Sequence, residues 1–95
     1  MKPALIEEGF YYEKANSKGW LRHVIRIESG RVIYTDFTRI GACDIESFAR
    51  WASRRLTKVE ACIEFTDEFM KIAKIEKALK AGELSPIITG LGLSS

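Results

Sequence analysis

WLRHVIRIE (residues 20–28), SG (29–30) and RVIYTDF (31–37) form the stretch on which the reading of this chain turns. The first segment alternates in polarity and is rich in β-branched residues, the pattern of a strand. Ser29–Gly30 is a two-residue link of the kind tight hairpins favour, and the third segment is the returning strand. With Glu28 opposite Arg31, the register predicts the pairs Ile27–Val32, Ile25–Tyr34, His23–Asp36 and Leu21–Thr38. Side chains alternate across a strand, so these residues share one face, which is the more apolar near the turn and is assigned to the core. The other face carries Trp20, Arg22, Val24 and Arg26 opposite Phe37, Thr35 and Ile33.

Working towards the N-terminus, Ala15 to Gly19 reads as a polar turn and Gly9 to Glu13 as a short aromatic strand. Towards the C-terminus, Thr38 to Cys43 reads as a loop, and Asp44 is placed to cap a helix running to about Arg54. Ile45, Phe48, Ala49, Ala52 and Leu56 form its apolar stripe with Trp51 on the border, and Glu46, Arg50 and Arg54 lie opposite. Thr57 to Phe65 alternates again, which predicts a strand with Val59, Ala61, Ile63 and Phe65 inward and Lys58, Glu60, Cys62 and Glu64 outward. Thr66 is expected to cap a second helix, with Asp67 and Glu68 in the first turn as the helix dipole favours and Gly82 at the end. The expected class is therefore α+β: a small antiparallel sheet in the order β-β-β-α-β-α with its helices on one face. An SH3-like small barrel with an appended C-terminal helix is the alternative.

The composition agrees with one domain. The chain has 95 residues, 46% hydrophobic and 29% charged, which supports a single modest core and leaves no room for a deep cleft within one subunit. Residues 1–82 are read as the domain and 83–95 as an apolar tail or arm. No apolar run reaches membrane-spanning length and Met1 to Gly9 shows no signal pattern. Cys43 and Cys62 are not in a metal-binding spacing and there is a single histidine, so a cytoplasmic chain with reduced thiols, no metal and no cofactor is expected.

The net charge of +2 is weak, but Lys18 to Lys58 holds nine basic and four acidic residues. Trp20, Arg22, Arg26 and Phe37 on the open hairpin face, with Arg50, Arg54 and Arg55 nearby, form an arginine-aromatic surface of the sort that binds single-stranded nucleic acid. Solvated stems and a helix end complemented by its own dipole account for the same residues without a ligand. Cys43 at a helix start, with His23 and Asp36 as cross-strand neighbours, makes a thiol nucleophile set conceivable, though such a pair more often satisfies a sheet edge.

The second helix has its apolar face at Phe69, Ile72, Ala73, Ile75 and Leu79, but Glu76 falls inside that arc. Ile75, Glu76 and Leu79, continued by Leu84, Ile87 and Ile88 of the tail, are accordingly the candidate oligomer interface. No motif assigns the chain to a family. The leading expectation is a non-enzymatic interaction or adaptor module that self-associates and contacts another protein. A nucleic-acid-binding or regulatory module comes second, and an enzyme using Cys43, His23 and Asp36 is remote.

Overall fold

The structure is a computed structural model and describes residues 1–14 and 20–80. Four strands lead off, β1 (Tyr11–Lys14), β2 (Leu21–Glu28), β3 (Arg31–Thr35) and β4 (Ile40–Asp44). Helix α1 (Ile45–Trp51) and strand β5 (Ala52–Leu56) follow, then helices α2 (Lys58–Glu64) and α3 (Thr66–Lys80). The strands pair antiparallel in the order β4-β3-β2-β1-β5, an open sheet with β4 and β5 at its two edges rather than a barrel. The α+β class expected from the sequence is what the chain adopts. The predicted turn at 15–19, Gly82 and the tail at 83–95 lie outside the described residues.

The hairpin turn falls where the sequence puts it. Ser29 and Gly30 both take positive φ, 49° and 77°, the mirror-image turn whose twist matches a right-handed strand pair. Glu28 faces Arg31 and Ile27 faces Val32 as expected, and Arg26 then faces Ile33. The register next shifts by one residue, so that Val24 faces Tyr34 and His23 faces Thr35. Ile25 is the extra residue of a β-bulge. On the other side of β2, Gly9 N–H donates to the Val24 carbonyl and Val24 N–H to that of Phe10, at 2.8 and 3.0 Å, so the bulge is anchored from β1. A one-residue slip exchanges every side chain beyond it between faces. The His23–Asp36 pair therefore does not form, and Arg22 joins Val24 and Val32 on what the sequence reading took for the core side.

The sheet has a core on each face. Tyr12, Val24, Val32 and Tyr34 pack under Phe48 and Ala49 of α1. Tyr11, Leu21 and Leu56 pack under Ala61 of α2 and Ile72 of α3. Helices thus cover both faces, not one, and the alternation along β1, Tyr11 one way and Tyr12 the other, divides the two cores.

Three elements differ from expectation, each for a local reason. The expected loop at 38–43 is mostly β4. Asp36 Oδ1 accepts from Thr38 N, Thr38 Oγ1 and Arg39 N, closing a tight turn that returns the chain antiparallel to β3. Gly41 sits under the Tyr34 ring, where a Cβ would stand 2.6 Å from ring atoms, so only glycine lets the strands approach there. Helix α1, capped by Asp44 as predicted, stops at Trp51, because Ala52 to Leu56 pairs with β1. The register irregularity at Glu13/Lys14 sends Ala52 into one core and Leu56 into the other.

The predicted strand at 57–65 is α2. Thr57 and Glu60 form a reciprocal capping box, which satisfies two otherwise unbonded amides at the helix start. Of the four residues expected inward, Ala61 is buried and Phe65 half-buried, whereas Val59 and Ile63 are exposed. Thr66 opens α3 but does not cap it; its hydroxyl donates to the Cys62 carbonyl and ties α3 to α2.

The two edges differ in character. β5 carries Arg54 and Arg55, charges that discourage strand addition, whereas β4 (Ile-Gly-Ala-Cys-Asp) has no lysine, arginine or proline along it.

Candidate functional site

The side chains with chemical potential are brought together beside His23 on the α3 side of the sheet. His23 lies across from Tyr11 of β1, and the two rings stack with centroids 4.2 Å apart and planes inclined by 12°. From above, Glu76 of α3 brings its Oε2 to 2.6 Å from His23 Nδ1, with the two side chains 19% and 22% exposed. A carboxylate only accepts, so Nδ1 carries the hydrogen and Nε2 is the remaining nitrogen. Glu76, placed in the candidate oligomer interface by the sequence, is engaged by His23 of its own sheet. It occupies the apolar arc because a histidine on the sheet faces it there.

Tyr11 is buried at the foot of this site. Burial above all, with the nearby Glu76 and Cys62, pushes its pKa up to about 12. It is a neutral hydroxyl donor at any ordinary pH. Tyr11, His23, Glu76 and Phe69 line a groove of about 490 Å³, and Lys58 of α2 and Lys77 of α3 line it with them. A second hollow of about 260 Å³, lined by Val24, Ile25 and Leu79, shares Gly9, His23 and Glu76 with the first. The His23–Glu76 pair is thus common to a basic hollow and an apolar one.

Arg22, the residue before His23, points the other way. Its guanidinium carbon lies 4.1 Å from the Trp51 ring centroid and 4.2 Å from that of Tyr34, with Phe48 at 5.7 Å. Its Nε is buried without a partner, and burial lowers its pKa. The expected surface of Trp20, Arg22, Arg26 and Phe37 is therefore not assembled. Phe37 packs against the α3-side core and meets Trp20 edge-on at 4.8 Å. Arg26, beyond the bulge, forms an exposed pair with Glu28 at 3.3 Å.

The basic run is also dispersed. Arg50 reaches Ser47 Oγ at 3.2 Å. Arg54 of β5 bridges Glu13 of β1 and Glu64 of α2. Arg55 lies over the Phe10 ring at 4.6 Å and pairs with Glu7 at 3.5 Å. Two of the three are thus engaged with acids of the chain itself.

Cys43 faces Val32 on the α1 side, half-buried, and burial raises its thiol pKa. His23 is on the opposite face and Asp36 is engaged in its turn, so the thiol set envisaged from the sequence is not brought together. Cys62 is exposed on α2, and both cysteines are free. Among the described residues no cluster of three potential metal ligands exists, and no helix is long and apolar enough to cross a membrane. Of the candidate interface residues, Ile75 and Leu79 are half-buried, and Leu84, Ile87 and Ile88 lie outside the described residues.

The sequence reading did not name Tyr11 or Lys77 as site residues, and saw Lys58 only as part of a basic stretch. The signal that leads to them is Glu76: a carboxylate inside an apolar helical arc needs a polar partner on the sheet, and the chain offers one histidine. Compared with protein-family models, curated proteins and solved structures, the chain finds no match.

Proposed function

We propose that this chain is a non-enzymatic interaction module that self-associates and binds another protein, and that the outer face of α2 is its contact surface. The observation that carries this is the exposure of Val59 and Ile63, at 66% and 72%, one turn apart on a seven-residue helix. Residues at i and i+4 share a face, so the two make one apolar stripe. Met70 of α3 adds a third large apolar side chain in water, 63% exposed. Single exposed apolar residues are ordinary on a protein surface, but a paired stripe points to a covered state. Removing each of these side chains from water on association contributes about 1.5–3 kcal/mol. The free cysteines agree with a reducing compartment, and we place the module in the cytoplasm. The nucleic-acid alternative loses its support, because its arginines and rings are divided between two faces and mostly paired within the chain.

Sedimentation equilibrium of the full chain tests the reading. The wild type is expected to sediment heavier than one chain, and Val59→Ser/Ile63→Ser to return it to a monomer that still unfolds in one cooperative transition. A wild type that stays monomeric at every concentration, or a double variant that assembles as before, overturns it.

A further inference from the structure

The basic hollow has donors and little to bond them. Lys58 and Lys77 line it, and neither ammonium pairs with a carboxylate among the described residues. The one carboxylate in its lining, Glu76, is engaged by His23. The Tyr11 hydroxyl lines the same hollow as a third donor, and burial keeps its proton in place well beyond neutral pH. Across the His23–Glu76 pair, the second hollow offers the side chains of Ile25 and Leu79, with no charged side chain in its lining other than that pair. A charged end and an apolar end therefore meet at one fixed hydrogen-bonded pair.

We infer that the two hollows form one binding site for a small amphipathic monocarboxylate, an alkyl or aryl acid. Its carboxylate sits in the hollow of Lys58, Lys77 and Tyr11, and its hydrocarbon lies against Ile25 and Leu79. Two ammonium groups and one hydroxyl suit the two oxygens of a single carboxylate. A phosphate monoester fits less well, because its second charge would stand beside Glu76. The two hollows together have the size of a small-molecule site rather than of a groove for a polymer. Lys58 is the first residue of α2, where the helix dipole disfavours a cation. This site is on different residues from the α2 contact stripe and does not depend on it.

Titration calorimetry of the full chain with acetate, hexanoate, octanoate, 1-octanol and octyl phosphate tests the assignment. Affinity is expected to rise by roughly four-fold for each methylene from hexanoate to octanoate. Octanol is expected to bind roughly ten-fold or more weakly than octanoate, since it leaves the lysines unpaired. Lys58→Gln/Lys77→Gln should weaken octanoate to the level of octanol without lowering the melting temperature, as both side chains are exposed. Leu79→Ser should weaken octanoate and leave hexanoate less affected. Absence of saturable octanoate binding at millimolar concentration, equal affinity for acid and alcohol, or tighter binding of octyl phosphate overturns the proposal on the wild type alone. Val59→Ser/Ile63→Ser should bind octanoate like the wild type, so this site and the protein-contact reading can fail separately.

Discussion

Arg22 and His23 are neighbours on one strand, and the two faces of the sheet treat them in opposite ways. On the α1 side the guanidinium is held between Tyr34 and Trp51 and forms no salt bridge among the described residues. On the α3 side the imidazole is stacked on one ring and bonded to Glu76. Helix α1 runs directly from β4 into β5, so its two ends are pinned by the sheet itself and its face closes down on the aromatic core. Among the described residues helix α3 follows the last strand by way of α2, and the groove lies beneath it. A helix inserted between two strands seals its face, whereas one appended after the last strand leaves room for a site.

The contrast rests first on the bulge. Deleting Ile25 removes the extra residue but leaves Val24 opposite Tyr34 and His23 opposite Thr35, so Arg22 and His23 keep their opposite faces and β2 loses only its local kink. The expected outcome is a folded variant that keeps its cooperative thermal transition. Circular dichroism would show it, and loss of the transition in the deletion variant would refute the two-face account.

Truncations in the two cores sharpen it. Phe48→Ala is expected to cost about 3–5 kcal/mol and Ile72→Ala about 2–5 kcal/mol, with Phe48 the larger because it fills the sealed side. Urea denaturation measures both, and the reverse order would make the α3 side the principal core.

A smaller effect separates the two basic residues. Glu76→Gln weakens a partly shielded charged hydrogen bond and should cost about 1 kcal/mol. Arg22→Met keeps an apolar stem between the rings and removes a buried, unpartnered Nε, so it should change stability by less than about 1 kcal/mol in either direction. A larger loss for Arg22→Met in the same denaturation assay would mean that the aromatic clamp outweighs the carboxylate pair.

The smallest effect is confined to alkaline pH. Tyr11 is raised from 10.0 to about 12, so the folded state holds its proton more tightly than the unfolded one. The stability this supplies is complete below pH 10 and is lost as pH rises through about 12. Melting temperatures measured across that window should fall more steeply in the wild type than in Tyr11→Phe. Parallel curves would show that the hydroxyl is solvated in the folded protein.

The parts of this architecture that depend on neighbours in sequence could be read from it. Ser29–Gly30 specifies its turn by backbone preference alone, and Asp44 its cap. The Thr57–Glu60 box is equally local, but the alternation of Val59, Ala61, Ile63 and Phe65 imitated a strand and hid it. The bulge was out of reach, since it is held by Gly9 and Phe10 of another strand, and periodicity within β2 carries no trace of it. β4 was obscured for a related reason: Gly41 breaks its pattern to make room for Tyr34. The site shares this difficulty, because His23 and Glu76 meet across 53 residues of chain. Glu76 was recognisably out of place, but its partner depended on which face His23 took.

The unequal edges set a limit on any assembly made by adding strands. A sheet that accepts a neighbour along β4 and repels one along β5 has a single reactive end, so two such sheets joined through it leave only guarded margins outward. Stacking by that route terminates at a pair, and the open-ended growth that leads to fibrils has no second end from which to continue.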